Sequence, residues 1–260
     1  MTDVLHGSGS HGVAHCGSVS ALTLGLPAAT AVPEARARLP KAMFVGHAQI
    51  SAKLKQRLTN DIESITMLAL LRPSNTGLAA GARVPEVLVI GLRLSAKAVL
   101  VPTEVIELIA AQRKSGIVFA VVRDKPVDGG VREECTLAVR RALPGKAGHL
   151  PVHEVFADVW QPAHEVMLDI DTVRRAKSDD SAGASIDDLW SSLCAQIILG
   201  VPDGTDLDAR IVRRAQISEL EMTIDKLTRD HQRAKDADQR NEIYAKLHKA
   251  KQQLDTLRAQ

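Results

Sequence analysis

Apolar positions in this chain follow three different rhythms. Between residues 50 and 68, Ile50, Leu54, Leu58, Ile62, Ile65 and Leu68 recur every three or four positions. That spacing predicts one amphipathic helix with Ser51 as its N-cap, ended by the Arg72-Pro73 step. The rhythm then changes. "EVLVIGLRL" and "GIVFAVVRD" are near-continuous apolar runs, which predict strands covered on both faces. "VPTEVIELIAAQRK" lies between them with helical spacing, so residues 86–123 read as strand–helix–strand with a parallel, right-handed crossover.

Further on, "KPVDGG" reads as a turn. "ECTLAVRRA" alternates, with Cys135, Leu137 and Val139 on one face and Glu134, Thr136 and Arg140 on the other. "VHEVFADVWQ" predicts a strand antiparallel to it. "AKSDDSAGAS" is a polar linker, and Ser185 with Asp188 opens an amphipathic helix carrying Leu189, Trp190, Leu193 and Ile197. The expected fold is α/β, a small mixed sheet over residues 37–200.

The third rhythm fills the C-terminus. No Gly or Pro occurs from Thr205 to Gln260. Ile217, Leu220, Ile224 and Leu227 form one short heptad seam, and Ile243, Leu247, Ala250, Leu254 and Leu257 form another. The seams are out of phase by two residues across the polar "RDHQRAKDADQR". Two helices folded as a hairpin over 205–260 account for that break, as would one interrupted helix of ~75 Å; the hairpin is the preferred reading. Two heptads make a weak coiled coil, so each seam needs the other, the body or a second chain.

Residues 1–36 differ from all of this. "HGSGSHGVAHCGS" is rich in Gly, Ser and His, and the segment has no aromatic residue, so it is expected to stay unordered. Translation from an upstream start gives the same composition. His6, His11, His15 and Cys16 offer metal ligands only on a mobile segment, which rarely holds a fixed geometry.

Composition then narrows the function. Lys and Arg number 33 against 31 Asp and Glu, which gives no general attraction to nucleic acid or acidic membrane. Six aromatic rings are too few for a base-stacking platform. Three scattered cysteines, Cys16, Cys135 and Cys194, fit neither a disulfide framework nor a thiolate zinc site. No apolar run reaches the ~18 residues of a membrane span, and no secretory signal is evident, so a cytoplasmic location is expected.

A strand bounded by Glu86 and Arg93 invites comparison with metal-dependent nucleases. The strand rise, however, separates those two residues by ~23 Å. Asp124, at the end of the next strand, has no partner on the first in this reading. Asp169 and Asp171 in "LDID" match a short metal–nucleotide pattern that also arises by chance. No Gly-rich phosphate loop or nucleophile elbow is present. His47, His149, His153 and His164 lack metal-ligand spacing, and Cys135 and Cys194 fall on inward faces. These patterns assign no catalytic, cofactor or metal residue.

"LPK", "ISAKLKQRL", "IESI", "LRPSN", "EVLVIGLRL", "GIVFAVV", "DDLWSSLCAQI" and "NEIYAKL" occur in an order that resembles the bacterial family catalogued as domain of unknown function 4391. The resemblance runs from about Leu39 to Leu257. It brings no established activity or catalytic residues. It does imply an accessory role beside DNA methyltransferases and helicases in restriction-modification-like defence. The resulting expectation is a non-enzymatic adaptor with a protein partner, possessing no cofactor and no membrane association. Its anchors would be Ile217, Leu220, Ile224, Leu227, Ile243, Leu247 and Leu254, used in helix-against-helix recognition. A surplus of four cations over residues 210–260 would permit weak DNA contact there. The alternatives are a divergent nuclease whose carboxylates converge only in three dimensions, and a homodimer formed through the hairpin.

Overall fold

The strands from Val87 and Gly116 form because β-branched and aliphatic side chains fill both faces of a sheet. A computed structural model describes residues 12–46, 50–143, 151–176 and 183–259. The chain divides into two compact units, Met1–Thr205 and Asp206–Gln260.

The first unit begins with a small hairpin of β1 (His15–Cys16) and β2 (Val19–Ser20). The short helices α1 (Glu34–Ala37) and α2 (Ala42–Val45) lead to α3 (Ala52–Asn60). Then come β3 (Ile62–Leu71), α4 (Pro73–Thr76), β4 (Val87–Leu94), α5 (Thr103–Ala110) and β5 (Gly116–Val127). The sheet is completed by β6 (Gly130–Leu143), β7 (Val152–Ala157) and β8 (Gln161–Pro162), and followed by α6 (Asp171–Ala176) and α7 (Ile186–Leu199). Strand order is β3-β4-β5-β6-β7, with β8 also on β6. Among the described strands only β4 and β5 pair in parallel, with α5 as their crossover, so the fold is the expected mixed α/β.

The predicted helix over 50–68 is corrected. Ser51 does cap α3, its hydroxyl accepting the Leu54 N–H at 3.2 Å, but the helix stops at Asn60 and a strand follows. The register of β3 against β4 slips between Ile62 and Ser64 and again between Met67 and Ala69. The first bulge inserts one residue, so Ile62 and Ile65 face the same way at a spacing of three. A bulged strand thus imitates helical period, and Leu68, at the second bulge, reaches Gly91 on the opposite side.

One face of the sheet buries Ile90, Leu92, Phe119 and Val121 against α3 and α5, through Leu58, Val105, Ile106 and Ile109. Residues 12–36 were expected to be unordered, yet they fold onto the body. Ala14, Cys16, Val19, Ala21, Leu24 and Leu26 are buried. The segment runs along the edge of β3, with the Val32 N–H donating to the Leu68 carbonyl and the Leu39 N–H to that of Ile65. A Cβ on Gly91 would come within 2.4 Å of the Cys16 Cβ, so glycine at the middle of β4 makes room for the hairpin. Composition missed this because aliphatic "TLGLPAATAV" needs a prepared surface, not aromatic bulk, to fold. Residues 1–11, with His6 and His11, lie outside the described residues, as do His47, His149 and most of the 176–185 linker.

The second unit is an α-helical hairpin of α8 (Leu207–Arg233) and α9 (Ala237–Arg258), packed along each other. Asp236 caps α9 by accepting the Gln239 N–H at 2.8 Å. No helix among the described residues is long and apolar enough to cross a membrane.

Candidate functional site

Residues 123–134 place seven charged side chains on two antiparallel strands and the turn between them. "KPVDGG" was expected to be a turn throughout. Instead, β5 runs on to Val127 and only Asp128 and Gly129 turn, with Gly129 at φ 88°. That two-residue turn sets Arg123 opposite Glu134, Asp124 opposite Glu133 and Lys125 opposite Arg132. Two of these three pairs are like charges facing each other, which by itself destabilises a ribbon. Each is bridged by one opposite charge.

On one face, Arg93 bridges the two carboxylates. Its guanidinium donates to Asp124 at 2.5 Å and to Glu133 at 2.8 Å. Asp124, unpaired in the sequence reading, therefore has its partner at the end of β4. Glu133 also accepts the Ser18 N–H at 2.8 Å and its hydroxyl, which latches the N-terminal hairpin to the ribbon. Gly17 crosses this latch at φ 61°, where a Cβ would collide with the Glu133 carboxylate. Burial acts to lower the Arg93 pKa, but its hydrogen bonds to Asp124 and Glu133 outweigh that and raise it, keeping the guanidinium charged.

On the other face, Glu134 is 3% exposed and takes three cations: Arg123 at 2.8 Å, Arg132 at 2.6 Å and Lys125 at 3.4 Å. Burial works to raise its pKa, but the hydrogen bonds from Arg123, Arg132 and Lys125 outweigh it and bring the carboxyl down to about 2. Glu134 and Thr136 were placed on a polar face from alternation. Both are buried, because β6 is covered on both sides. The Arg123 guanidinium also lies 3.8 Å from the Trp160 ring centre and donates to the Val99 carbonyl.

The other candidates resolve into local structure. Glu86 accepts from Arg72 at 2.7 Å and from Ser115 at 3.1 Å, at the opposite end of β4 from Arg93. Asp169 accepts the N–H groups of Asp171 and Thr172 and the Thr172 hydroxyl, at the start of α6. Burial pushes its carboxyl up, and these bonds overcome that to hold it below the ordinary range. Cys16, Cys135 and Cys194 are buried and lie outside any disulfide. Burial pushes the thiols of Cys16 and Cys135 up to about 12, which leaves them protonated and unreactive near neutral pH. His153 and His164 are exposed. Among the described residues, no three His, Cys, Asp or Glu side chains gather closely enough to hold a metal ion. A cavity of about 600 Å³ beside α7 is lined by Arg83, Asp188, Ser191 and Asp203.

In the hairpin the two predicted seams behave unequally. Leu247, Ala250 and Leu254 of α9 are buried, whereas Ile217, Leu220, Ile224 and Leu227 of α8 and Ile243 of α9 are half-buried. One flank is closed by Arg258 donating to Glu221 at 2.7 Å. A groove of about 730 Å³ runs along the helices, lined by Leu220 and Leu257 with Thr223, Lys249 and Gln253.

The molecule is thus an α/β body with a latched N-terminal hairpin, together with a two-helix appendage. The chain belongs to the DUF4391 family, a domain of unknown function, whose model matches residues 24–254. No curated protein and no solved structure matches it. The match begins inside the N-terminal segment that composition had set aside.

The missed ribbon had a legible signal. Counting outward from Asp128-Gly129 pairs residues whose numbers sum to 257, and the mirrored run R-D-K against R-E-E then shows both like-charge pairs.

Proposed function

We propose that this protein is a non-enzymatic adaptor that docks a larger DNA-processing protein, of the helicase or methyltransferase kind, through its C-terminal hairpin. The observation that carries this reading is the half-exposed apolar line of α8 beside an open groove. Two helices in contact bury a single seam, and a third helix in the groove would cover Leu220 and Leu257 as in a helical bundle. Leu247 and Leu254 then act inside the hairpin rather than as contact points, and Ile217, Leu220, Ile224, Leu227 and Ile243 remain available at its margin.

The nuclease alternative has less support. Its two opposed carboxylates, Asp124 and Glu133, already share the Arg93 guanidinium, and the counter-charge stands where a cation would sit.

Thr223→Arg with Gln253→Arg tests the reading, since both residues are exposed and line the groove. The double variant should keep its helix content and lose co-purification of a helicase or methyltransferase from the native host. Unchanged capture of that protein rejects hairpin docking. Sedimentation of the purified chain adds the homodimer alternative: a dimer that the double variant converts to monomer assigns the groove to a second copy.

A further inference from the structure

The face of the ribbon around Glu134 carries more charge than Glu134 balances. Arg123, Lys125 and Arg132 converge on this one carboxylate, a surplus of two cations. Arg123 is enclosed by Glu134 and Trp160, but the Lys125 and Arg132 side chains are each 48% exposed. Asp158, the acid next to Val159, is engaged locally, its carboxylate accepting from the Val159 N–H at 2.7 Å and from Gln161 at 3.3 Å.

Apolar side chains stand beside this charge without cover. Arg123 ties the Val99 carbonyl and the Trp160 ring to one point, which brings the 99–100 loop and the 159–160 segment together. Val99 is 61% exposed, Leu100 77% and Val159 69%. Large aliphatic groups this exposed, grouped around a Trp–Arg stack and rimmed by cations, have the composition of an interface centre with a charged rim.

We propose that this face is a second docking surface, which takes an acidic segment of a partner protein bearing aliphatic side chains. Carboxylates of the segment pair with Lys125 and Arg132, while its aliphatic groups cover Leu100, Val99 and Val159. Charge selects the class of partner. A nucleic-acid backbone needs a row of cations; of the three cations on Glu134 only Lys125 and Arg132 are exposed, with Asp128 at the ribbon tip and Asp124 and Glu133 on the reverse face. A protein segment can match both the apolar and the cationic parts at once. This surface belongs to the body and is independent of the hairpin groove. Together the two would give an adaptor two places to hold.

The test uses the full chain and fluorescence anisotropy with a labelled peptide of alternating Glu and Leu. A Lys–Leu peptide, a short DNA duplex and phosphatidylserine vesicles serve as rival probes. The Glu–Leu peptide should bind, and binding should weaken with added salt. Leu100→Ser with Val159→Ser, which touches only exposed side chains, should weaken it about tenfold, as should Lys125→Gln with Arg132→Gln. Thr223→Arg with Gln253→Arg should leave it unchanged, which separates this surface from hairpin docking. The proposal is overturned if the Glu–Leu peptide does not bind, if DNA, vesicles or the Lys–Leu peptide bind as well or better, or if the Leu100/Val159 variant binds like the parent.

Discussion

The sheet body and the helical hairpin place their apolar residues in unlike settings. In β4, every residue from Val87 to Leu94 except Arg93 is buried, because the sheet is covered on both faces. In α9, only Leu247, Ala250 and Leu254 reach that state, and four seam residues of α8 stay half exposed. The difference is geometric. A sheet with layers on both sides encloses whole strands, whereas two helices touch along one line. The body can therefore supply its own stability, whereas the hairpin leaves part of its apolar seam half exposed.

The largest expected effect lies in the body. Phe119 is fully buried between the sheet and its helices, so Phe119→Ala should cost about 3–5 kcal/mol, read as a lowered urea midpoint for the whole body. A shift below ~1 kcal/mol would mean that the core tolerates a void and that the contrast with the hairpin is weaker than drawn.

Glu134 comes next, and its effect depends on pH. Its folded pKa of about 2 lies below the ordinary 4.5. The stability it contributes is therefore fully present above about 4.5 and is lost as pH falls toward about 2. Glu134→Gln should destabilise the protein at neutral pH and flatten the acid limb between those values. An acid limb that keeps the parent slope in the variant places the titration elsewhere.

Leu254→Ala should have the smallest effect of the three, about 2 kcal/mol, because the site is a two-helix seam that can partly collapse. Amide hydrogen exchange should quicken across residues 207–258 and leave β4 and β5 at parent rates. Equal quickening in both regions would show that hairpin and body unfold as one.

Legibility followed the range of the interactions involved. The α5 and α7 helices, the Ser51 and Ser185 caps and the β4–β5 pair were readable because cap residues and continuous apolar runs act within a few positions. The β3 strand was misread, since a bulge visible only against β4 turned a period of two into three. Of the charged ribbon, the turn and its residues were visible. Arg93, however, is 31 residues from Asp124 in the chain and meets it only when β4 and β5 align.

By itself the sequence determined the mixed α/β class, the strand–helix–strand crossover and the two heptad seams, because local period and capping encode these. Tertiary structure alone decided the rest: that residues 12–36 fold onto the β3 edge, that Glu134 is buried among three cations, and that Asp124 and Glu133 close on an arginine. Each of these depends on surfaces made by distant strands, and a burial or an ion pair has no local rhythm to announce it.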